Sequence, residues 1–233
     1  MPETAKPSNR LFAALPKNEY QRLLPKLERI ALIFAENIYQ PDDVISHVYF
    51  PESGIISLLS AVEEHSTLEV GIVGNEGMVG LPVFLGVKTS NNLAVVQGVG
   101  FALRMTAADF HDECKNGGEL PRVLQRFTHS LMTHISQSAA CNRFHPIEAR
   151  LARWLLMTHD RMQADEFQIT QEFLSNMLGV RREAVNKAAT HLQQQQLISY
   201  SRGNLSILNR TGLEAAACRC YQIIKQDYEN FLN

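Results

Sequence analysis

Residues 169–208 read ITQEFLSNMLGVRREAVNKAATHLQQQQLISYSRGNLSIL, and they carry the clearest local structural signal in the chain. Thr170 is suited to cap a first helix, because its side-chain oxygen can accept a bond from a free amide of the first turn. Apolar residues then recur on one helical face, at Leu174, Met177 and Leu178. Gly179 follows, where a sharp turn between two helices needs a positive φ that glycine adopts at little cost. The stretch therefore predicts a helix that ends in a tight turn.

The residues after the turn predict a second helix with two unlike faces. Small and aliphatic residues lie at core spacing, at Val185, Ala188, Ala189 and Leu192. The opposite face is polar and carries Arg182, Glu183, Asn186, Lys187 and Thr190. Side chains of these types read base edges in the major groove of DNA. Because any amphipathic surface helix has a polar face, this helix alone would not separate DNA binding from ordinary solvation.

Two strand candidates follow the second helix and make the pattern more specific. Residues 197–200 and 205–208 favour strands, and Ser201-Arg202-Gly203-Asn204 between them is a good turn sequence. A helix-turn-helix followed by such a wing is a more specific pattern than either part. We therefore predict a winged helix-turn-helix DNA-binding domain with a helical tail over residues 145–233.

Charge supports this prediction only locally. The chain has a net charge of −2, which by itself argues against a nucleic-acid partner. Residues 170–210, however, hold five basic and two acidic side chains, so positive charge is concentrated on the motif. Because affinity for phosphates grows with the number of contacts, this modest excess favours a dimer.

The composition bounds the class of protein. The 233 residues are 45% hydrophobic and 20% charged, as in a globular protein with an ample core. No apolar run approaches the roughly 20 residues that cross a bilayer. The first residues, MPETAKPSNR, lack the apolar segment of a signal peptide. We expect a cytoplasmic protein with no membrane partner.

The N-terminal half changes from a helical to a strand pattern. Residues 10–34 favour helix. Short strand candidates then lie at 48–50, 54–59, 68–73, 93–96 and 101–105, with turn residues at 51–53 and 97–100. Turn signals at this spacing predict an antiparallel sandwich or barrel. We assign residues 1–119 to this β-sheet domain with its N-terminal helix.

Residues 120–142 predict one long helix with an apolar seam, and we assign 120–144 to this helix and the start of a hinge. The seam consists of Leu124, Phe127, Leu131, Ile135 and Ser138. It could pack against the chain's own sheet or against a second copy, and the pattern hardly separates these two arrangements. Since DNA readers of this type commonly dimerise, we predict a dimerisation helix. His145-Pro146 ends it, so we place a hinge at 143–145 before a helix over 150–159.

These features together resemble the Crp/Fnr family of bacterial transcription regulators. The resemblance rests on Thr170-Gln171-Glu172-Phe173-Leu174 and on LGVRREAV over 178–185. It covers essentially the whole chain and is strongest over 145–210. It implies an α+β fold with an N-terminal antiparallel β-roll (a jelly-roll of the cyclic-nucleotide-binding type), the long dimerisation helix and the winged helix-turn-helix. It also implies a homodimer on a pseudo-palindromic double-stranded DNA operator, with RNA polymerase as a further partner.

The resemblance also assigns roles on the DNA. The family's Arg-Glu pair and its basic residue four positions further match Arg182, Glu183 and Lys187. With Asn186 they form the expected base-reading set. Lys187 stands where arginine is usual, so its base contact is less certain, because lysine lacks the planar fork. The expected contacts to the DNA backbone are Thr170, Gln171, Arg181, Thr190 and Arg202.

The family's effector cassette is degenerate here. GNEGMVGLPVFLG at 74–86 lies at the cassette position, but the family's Gly-Glu order is disturbed and its phosphate-clamping arginine is missing. The corresponding residues are Glu76, Gly77, Gly80, Lys88, Ser90 and Asn91. We predict that cAMP is not the effector, because a lost bidentate clamp on phosphate is costly. We expect no cofactor, although an unidentified small-molecule effector is compatible. Alternatively, these residues only shape a turn.

Four cysteines are too few for a disulfide scaffold in a chain of this length. The iron–sulfur members of the family use cysteines near the N-terminus, and none precedes Cys114. Cys218-x-Cys220 with Cys141 could bind a metal or sense oxidation. Two close cysteines without a spaced second pair are more often inert, so we predict no metal site and assign these residues no role.

Two other functions remain as alternatives. A β-roll can host a metal-dependent enzyme, but the histidines show no converging ligand pattern in the strand region. The chain could also be a protein-interaction adaptor whose winged helix does not bind DNA. The polar face around Arg182 argues against an adaptor, and we predict that the chain is not an enzyme.

Overall fold

A computed structural model describes residues 6–63, 66–162 and 164–232. The chain forms two compact units. The first contains the chain up to Leu58, Ile72–Met132 and the residues from Tyr228 onward. The second contains Leu59–Gly71 and Thr133–Asp227. No helix in the described ranges is long and apolar enough to cross a membrane.

The first unit begins with short helices and then enters the sheet. Its first elements are α1 (Arg10–Ala13), α2 (Lys17–Leu23), a 3-10 turn (Leu24–Lys26) and β1 (Glu28–Leu32). The prediction of helix over 10–34 is therefore wrong at β1. Pro25 cannot continue a regular helix, and the following residues pair antiparallel with a later strand. There Arg104 Nε lies 2.8 Å from Glu28 Oε2.

The sheet has five strands, of which four form the order β1-β5-β3-β4, while β2 also pairs with β5. The remaining strands are β2 (Asn37–Tyr39), β3 (His47–Glu63), β4 (Ser66–Val73) and β5 (Asn92–Thr106). Two helices accompany them, α3 (Leu81–Phe84) and α4 (Ala107–Lys115). The predicted α+β class with an antiparallel sheet is confirmed, whereas α4 was not predicted.

The turn residues at 51–53 and 97–100 do not reverse the chain. They lie inside β3 and β5, so the prediction of separate short strands is wrong there. The glycines explain this, because a Cβ on Gly100 would lie 2.4 Å from the carbonyl oxygen of Ser53. A Cβ on Gly54 (φ +79°) would lie 2.6 Å from the carbonyl oxygen of Gly98. The glycines allow the backbones of the neighbouring strands β3 and β5 to approach closely, and they do not form a turn.

The long helix α5 (Glu119–Phe144) ends before Pro146, and α6 (Ile147–Met162) follows, so the predicted break is confirmed. A residue far along the chain caps the start of α5. The buried carboxylate of Glu19 accepts bonds from the backbone amides of Glu119 (3.0 Å) and Leu120 (2.9 Å). These bonds satisfy two amides that have no partner within the helix.

The apolar seam of α5 is part of the protomer's own core. Leu124, Phe127, Leu131 and Ser138 are all buried in the single chain, and Ile135 is half-buried. The Phe127 ring lies so close to Gly77 that a Cβ there would approach it to 2.3 Å. The fully buried side chains of this seam are occupied within the protomer, so its role in a dimer interface stays a prediction. A helix seam shows which face is buried but not which partner buries it.

The second unit carries the C-terminal elements, apart from the last residues of the final helix, which belong to the first unit. These elements are β6 (Glu166–Gln168), α7 (Gln171–Leu178), α8 (Arg182–Gln194), β7 (Ile198–Ser201), β8 (Asn204–Ile207), α9 (Arg210–Ala216) and α10 (Cys220–Asn230). The wing strands β7 and β8 form as predicted, within one residue of the predicted bounds. They belong to a three-stranded sheet in the order β6-β8-β7, whose third strand was not predicted.

Candidate nucleic-acid interface

Helix α7 is capped at both of its ends. At the start of α7, the Thr170 hydroxyl accepts a bond of 3.1 Å from the amide of Phe173. At its end, Gly179 adopts φ +60° in the left-handed region. A Cβ on Gly179 would also approach Leu68 Cδ1 to 2.7 Å. Both the conformation and the space around this position therefore require glycine.

Helix α8 packs by its small face and leaves its polar face in solvent. Val185, Ala188, Ala189 and Leu192 are buried. The predicted recognition residues Arg182, Glu183, Asn186, Lys187 and Thr190 are all exposed. Because the buried side chains are mostly short, α8 can approach the underlying elements closely, while its outer surface is open to a partner.

A short hydrogen-bonded chain connects the two motif helices across this surface. Arg182 Nε donates to Gln171 Oε1 at 3.3 Å, and Gln171 Nε2 donates to Asn186 Oδ1 at 3.1 Å. The half-buried Gln171 therefore links the start of α7 to two residues of α8. This arrangement restricts the rotamers of Arg182 and Asn186 before any partner binds, which reduces the entropic cost of ordering them on binding.

The positive charge of this surface is not neutralised by the protein. Within the described ranges, Arg181, Arg182, Lys187 and Arg202 form no ion pair with a carboxylate. Arg181 is also the N-cap residue of α8, and its side chain does not cap the helix. Unpaired cations beside the positive end of a helix dipole suit an anionic partner such as the phosphate backbone.

The wing is held against the start of α7. Ser201 pairs with Asn204, which leaves Arg202 (φ +50°) and Gly203 (φ +83°) as a two-residue turn. Positive φ at both positions is the type I′ geometry that matches strand twist. The exposed side chain of Arg202 is therefore presented at the tip of the wing.

Tyr200 is a positioning residue that sequence reasoning missed. Its hydroxyl donates to the carbonyl of Ile169 at 2.9 Å, and the Ile169 amide donates to the carbonyl of Gly203 at 2.7 Å. Burial raises the pKa of Tyr200, while the nearby charge of Arg182 lowers it. No local motif marks Tyr200, because its role depends on a partner 31 residues away in the chain.

The effector-cassette residues of the first unit form bonds within their own loops. Glu76 is buried, and its carboxylate accepts a bond of 3.1 Å from the Gly74 amide. The buried Ser90 hydroxyl accepts a bond of 3.0 Å from the Asn92 amide. Ser90 also forms a hydrogen bond with Tyr39, and burial raises the pKa of Tyr39 to about 12.

The other cassette residues are shaped by packing or face solvent. Gly77 lies against Phe127, Gly80 has φ +96°, and Lys88 and Asn91 are exposed. The structure therefore brings Glu76 and Gly77 together on one turn.

Comparisons with known proteins identify a domain of the chain and its fold. Residues 149–216 match the model of the Crp-like helix-turn-helix domain. No curated protein matches the chain. Among solved structures, a regulator assigned to the Crp/Fnr family from Eubacterium rectale is similar, with a TM-score of 0.70 at 16% identity, over 90% of this chain and 98% of that one.

Two further solved structures share the fold. FixK2 from Bradyrhizobium japonicum has a TM-score of 0.69 at 15% identity, over 82% of this chain and 98% of its own. The c-di-GMP-responsive global regulator CLP from Xanthomonas campestris has a TM-score of 0.67 at 15% identity, over 82% and 99%. The domain match and the shared fold confirm the resemblance to Crp/Fnr transcription regulators.

Proposed function

We propose that this chain, which carries a Crp-like helix-turn-helix domain and has the fold of the Crp/Fnr regulators, is a homodimeric, sequence-specific transcription regulator. It acts on a pseudo-palindromic operator in the cytoplasm, with RNA polymerase as its expected further partner. The observation that carries the proposal is the outer face of α8, which is exposed, polar and rich in cations that lack a carboxylate partner in the described chain.

The residues divide into base readers and backbone binders. Arg182 suits guanine, Glu183 can accept from a cytosine amino group, and Asn186 suits adenine. Lys187 adds a more flexible donor on the same face. The backbone contacts are Thr170, Gln171, Arg181, Thr190 and Arg202. Since Gln171 already bonds to Arg182 and Asn186, it has a second role in orienting these two side chains.

The exposed stripe of α5 supports a new dimer interface in place of the buried seam. Residues recur on the solvent side at alternating steps of four and three, at Gln125, His129, Met132, Ser136 and Ala139. Met132, at its centre, is 63% exposed. This spacing is that of a two-helix coiled coil. Two copies joined there would present their α8 helices to half-sites about 34 Å apart.

The cassette geometry supports the proposal that cAMP is not the effector. Glu76 and Ser90 already accept bonds from backbone amides, and the sequence has Ser90-Asn91-Asn92 where the family carries its phosphate-clamping arginine. Calorimetry with cAMP is the direct test, with the DNA response measured in parallel. Micromolar affinity coupled to a change in DNA binding would contradict the proposal. Another small molecule could still act through this unit.

The DNA proposal is tested by separating base reading from phosphate binding. Operators are first identified by immunoprecipitation of bound genomic DNA. Affinities for an operator and for a scrambled duplex are then measured over a series of salt concentrations. Arg182→Ala should lose about 1–3 kcal/mol of discrimination between the two duplexes. Arg202→Ala should weaken both duplexes alike and reduce the salt slope by about 1.

Equal losses on both duplexes for Arg182→Ala would contradict base reading, and a wild-type chain that binds no genomic fragment would overturn the function.

Dimerisation has its own test by sedimentation. Met132→Glu should shift the protein towards monomer, because it places like charges at the centre of the stripe. The matched control is Val87→Glu, which changes another exposed hydrophobic residue away from α5. An unaltered dimer in Met132→Glu would exclude this interface.

A further inference from the structure

Three cysteines and one histidine meet inside the second unit. Cys141 lies in the last turn of α5, and His145 lies just beyond its end. Cys218 lies in the connection between α9 and α10, and Cys220 is the first residue of α10. Their donor atoms, three sulfurs and one imidazole nitrogen, all lie within 4.8 Å of one another. The closest pairs are Cys141 Sγ with Cys218 Sγ and Cys220 Sγ with His145 Nδ1, both at 3.4 Å.

These separations match the coordination shell of a single ion. A tetrahedral zinc ion with three sulfur ligands and one nitrogen ligand holds its donor atoms roughly 3.5–3.8 Å apart. The cluster therefore needs only small side-chain shifts to enclose one ion. All three cysteines are free thiols. An iron–sulfur cluster would place its ligands on different iron atoms and would require a wider shell.

The charges around the cluster provide independent support. Arg150 and Arg153 are 7% and 6% exposed. In the part of the chain that the structure describes, neither pairs with a carboxylate, and the Nε atom of each has no hydrogen-bond partner. Electrostatic interactions join Arg153 to Cys141, and Arg150 to both Cys141 and Cys218.

Buried cations require compensating negative charge. A Zn²⁺ ion bound by three thiolates and a neutral imidazole carries a net charge of −1, so the ion and its ligands supply an anion where two arginines lack one. Gln137 Nε2 lies 3.1 Å from Cys220 Sγ and donates to it. Such a donor outside the ligand shell is typical of metal sites.

We propose that Cys141, His145, Cys218 and Cys220 bind one zinc ion. The ion links the end of α5 to the connection between α9 and α10 and to the start of α10. Soft thiolates with an imidazole select zinc, and four protein ligands leave no open position, so the site is structural and not catalytic. The proposal goes beyond DNA binding. The sequence prediction of no metal site weighed the cysteines without His145. The amide of His145 donates to the carbonyl of Cys141 at 3.0 Å, which brings these two residues together at the end of α5.

The test uses the full-length protein, purified under reducing conditions from zinc-supplemented cells. We expect one zinc per chain in the wild type by elemental analysis. Cys141→Ser and His145→Gln should lose most of this zinc. Cys114→Ser is the matched control and should keep all of it, since Cys114 lies outside the cluster. His145→Gln guards against misfolding, because its histidine is only half-buried and circular dichroism can verify its fold.

Cobalt substitution and chelation give two further readouts. Co²⁺ added to the metal-free protein should produce the visible bands of a tetrahedral thiolate complex in the wild type and Cys114→Ser, but not in Cys218→Ser. Zinc removal should lower the Tm of the wild type by several degrees, because the ion binds the folded state. The proposal would be overturned if the wild type held clearly less than one zinc per chain, or if it contained a Cys141–Cys218 disulfide in place of the ion. A Tm that does not change when zinc is removed by a chelator would also overturn it.

Discussion

The turn around Glu76 and the outer face of α8 both carry polar residues in a ligand-binding pattern, but they use those residues differently. Glu76 and Ser90 are buried, and each accepts a bond from a backbone amide of its own loop. Arg182 and Lys187 are exposed and have no carboxylate partner in the described chain. The first set stabilises the fold, whereas the second set leaves its charge available to a partner.

The difference shows that residue type gives only the capacity to bind. Whether a polar group can meet a ligand depends on whether the protein has already bonded it. Variants inside the protein should therefore change stability and leave DNA recognition unaltered, whereas variants on α8 should do the opposite. The predictions below test this separation.

The largest effect is expected for Phe127→Ala. Phe127 is fully buried against Gly77, so truncation should lower the free energy of unfolding by about 3–5 kcal/mol. Denaturant unfolding at two protein concentrations measures this change in the free energy of unfolding. Phe144→Ala is the matched control on the same helix, since Phe144 is 76% exposed, and it should change stability by no more than about 0.5 kcal/mol. A small loss of stability in Phe127→Ala that depends on protein concentration would instead indicate that Phe127 lies in the dimer interface.

A smaller loss of stability is expected for Glu19→Ala. This change removes the acceptor of two amides at the start of α5, and hydrogen bonds to charged groups contribute about 1.5–3 kcal/mol. Chemical denaturation gives the value, with the exposed Glu36→Ala as control. If both variants unfolded alike, the cap would contribute nothing to stability.

His134 should make stability depend on pH. Burial, with the nearby charges of Arg161 and Arg153, holds the pKa of His134 well below its ordinary value. The unfolded chain takes up a proton near pH 6.5, while the folded chain does not. Stability therefore falls as the pH drops below about 6.5, by up to about 1.4 kcal/mol per pH unit.

The measurement compares unfolding free energies between pH 6.5 and 5. His134→Leu should remove most of this slope, whereas the exposed His111→Gln on α4 should keep it. An unchanged slope in His134→Leu would show that other groups cause the pH dependence.

The smallest effect on stability is expected on α8 itself. Lys187→Ala should change the free energy of unfolding by at most about 0.5 kcal/mol. It should nevertheless weaken operator binding, because it removes a donor from the recognition face. Lys88→Ala is the matched control, since Lys88 is an exposed lysine of the cassette, and it should leave operator affinity unaltered. Equal binding losses would mean that the effect is general electrostatics.

The winged helix-turn-helix could be predicted in detail because its signals are local. Helical periodicity places Val185 and Leu192 inside and Arg182 outside, and the tight turn demands glycine at position 179. The strands of the first unit were harder to predict, since its turn-forming residues lie within long strands where Gly54 and Gly100 allow two backbones to approach closely. A local pattern cannot distinguish such a close approach from a turn.

The sequence by itself determined the helix-turn-helix, the wing and the break after α5, because φ preferences and periodicity act over a few residues. Only the tertiary structure decided which partner buries the Phe127 face of α5. It also decided that Cys141 and Cys218, 77 residues apart in the chain, have sulfur atoms 3.4 Å apart. Such meetings depend on how whole elements pack, and packing is set by the complete set of contacts rather than by any one segment.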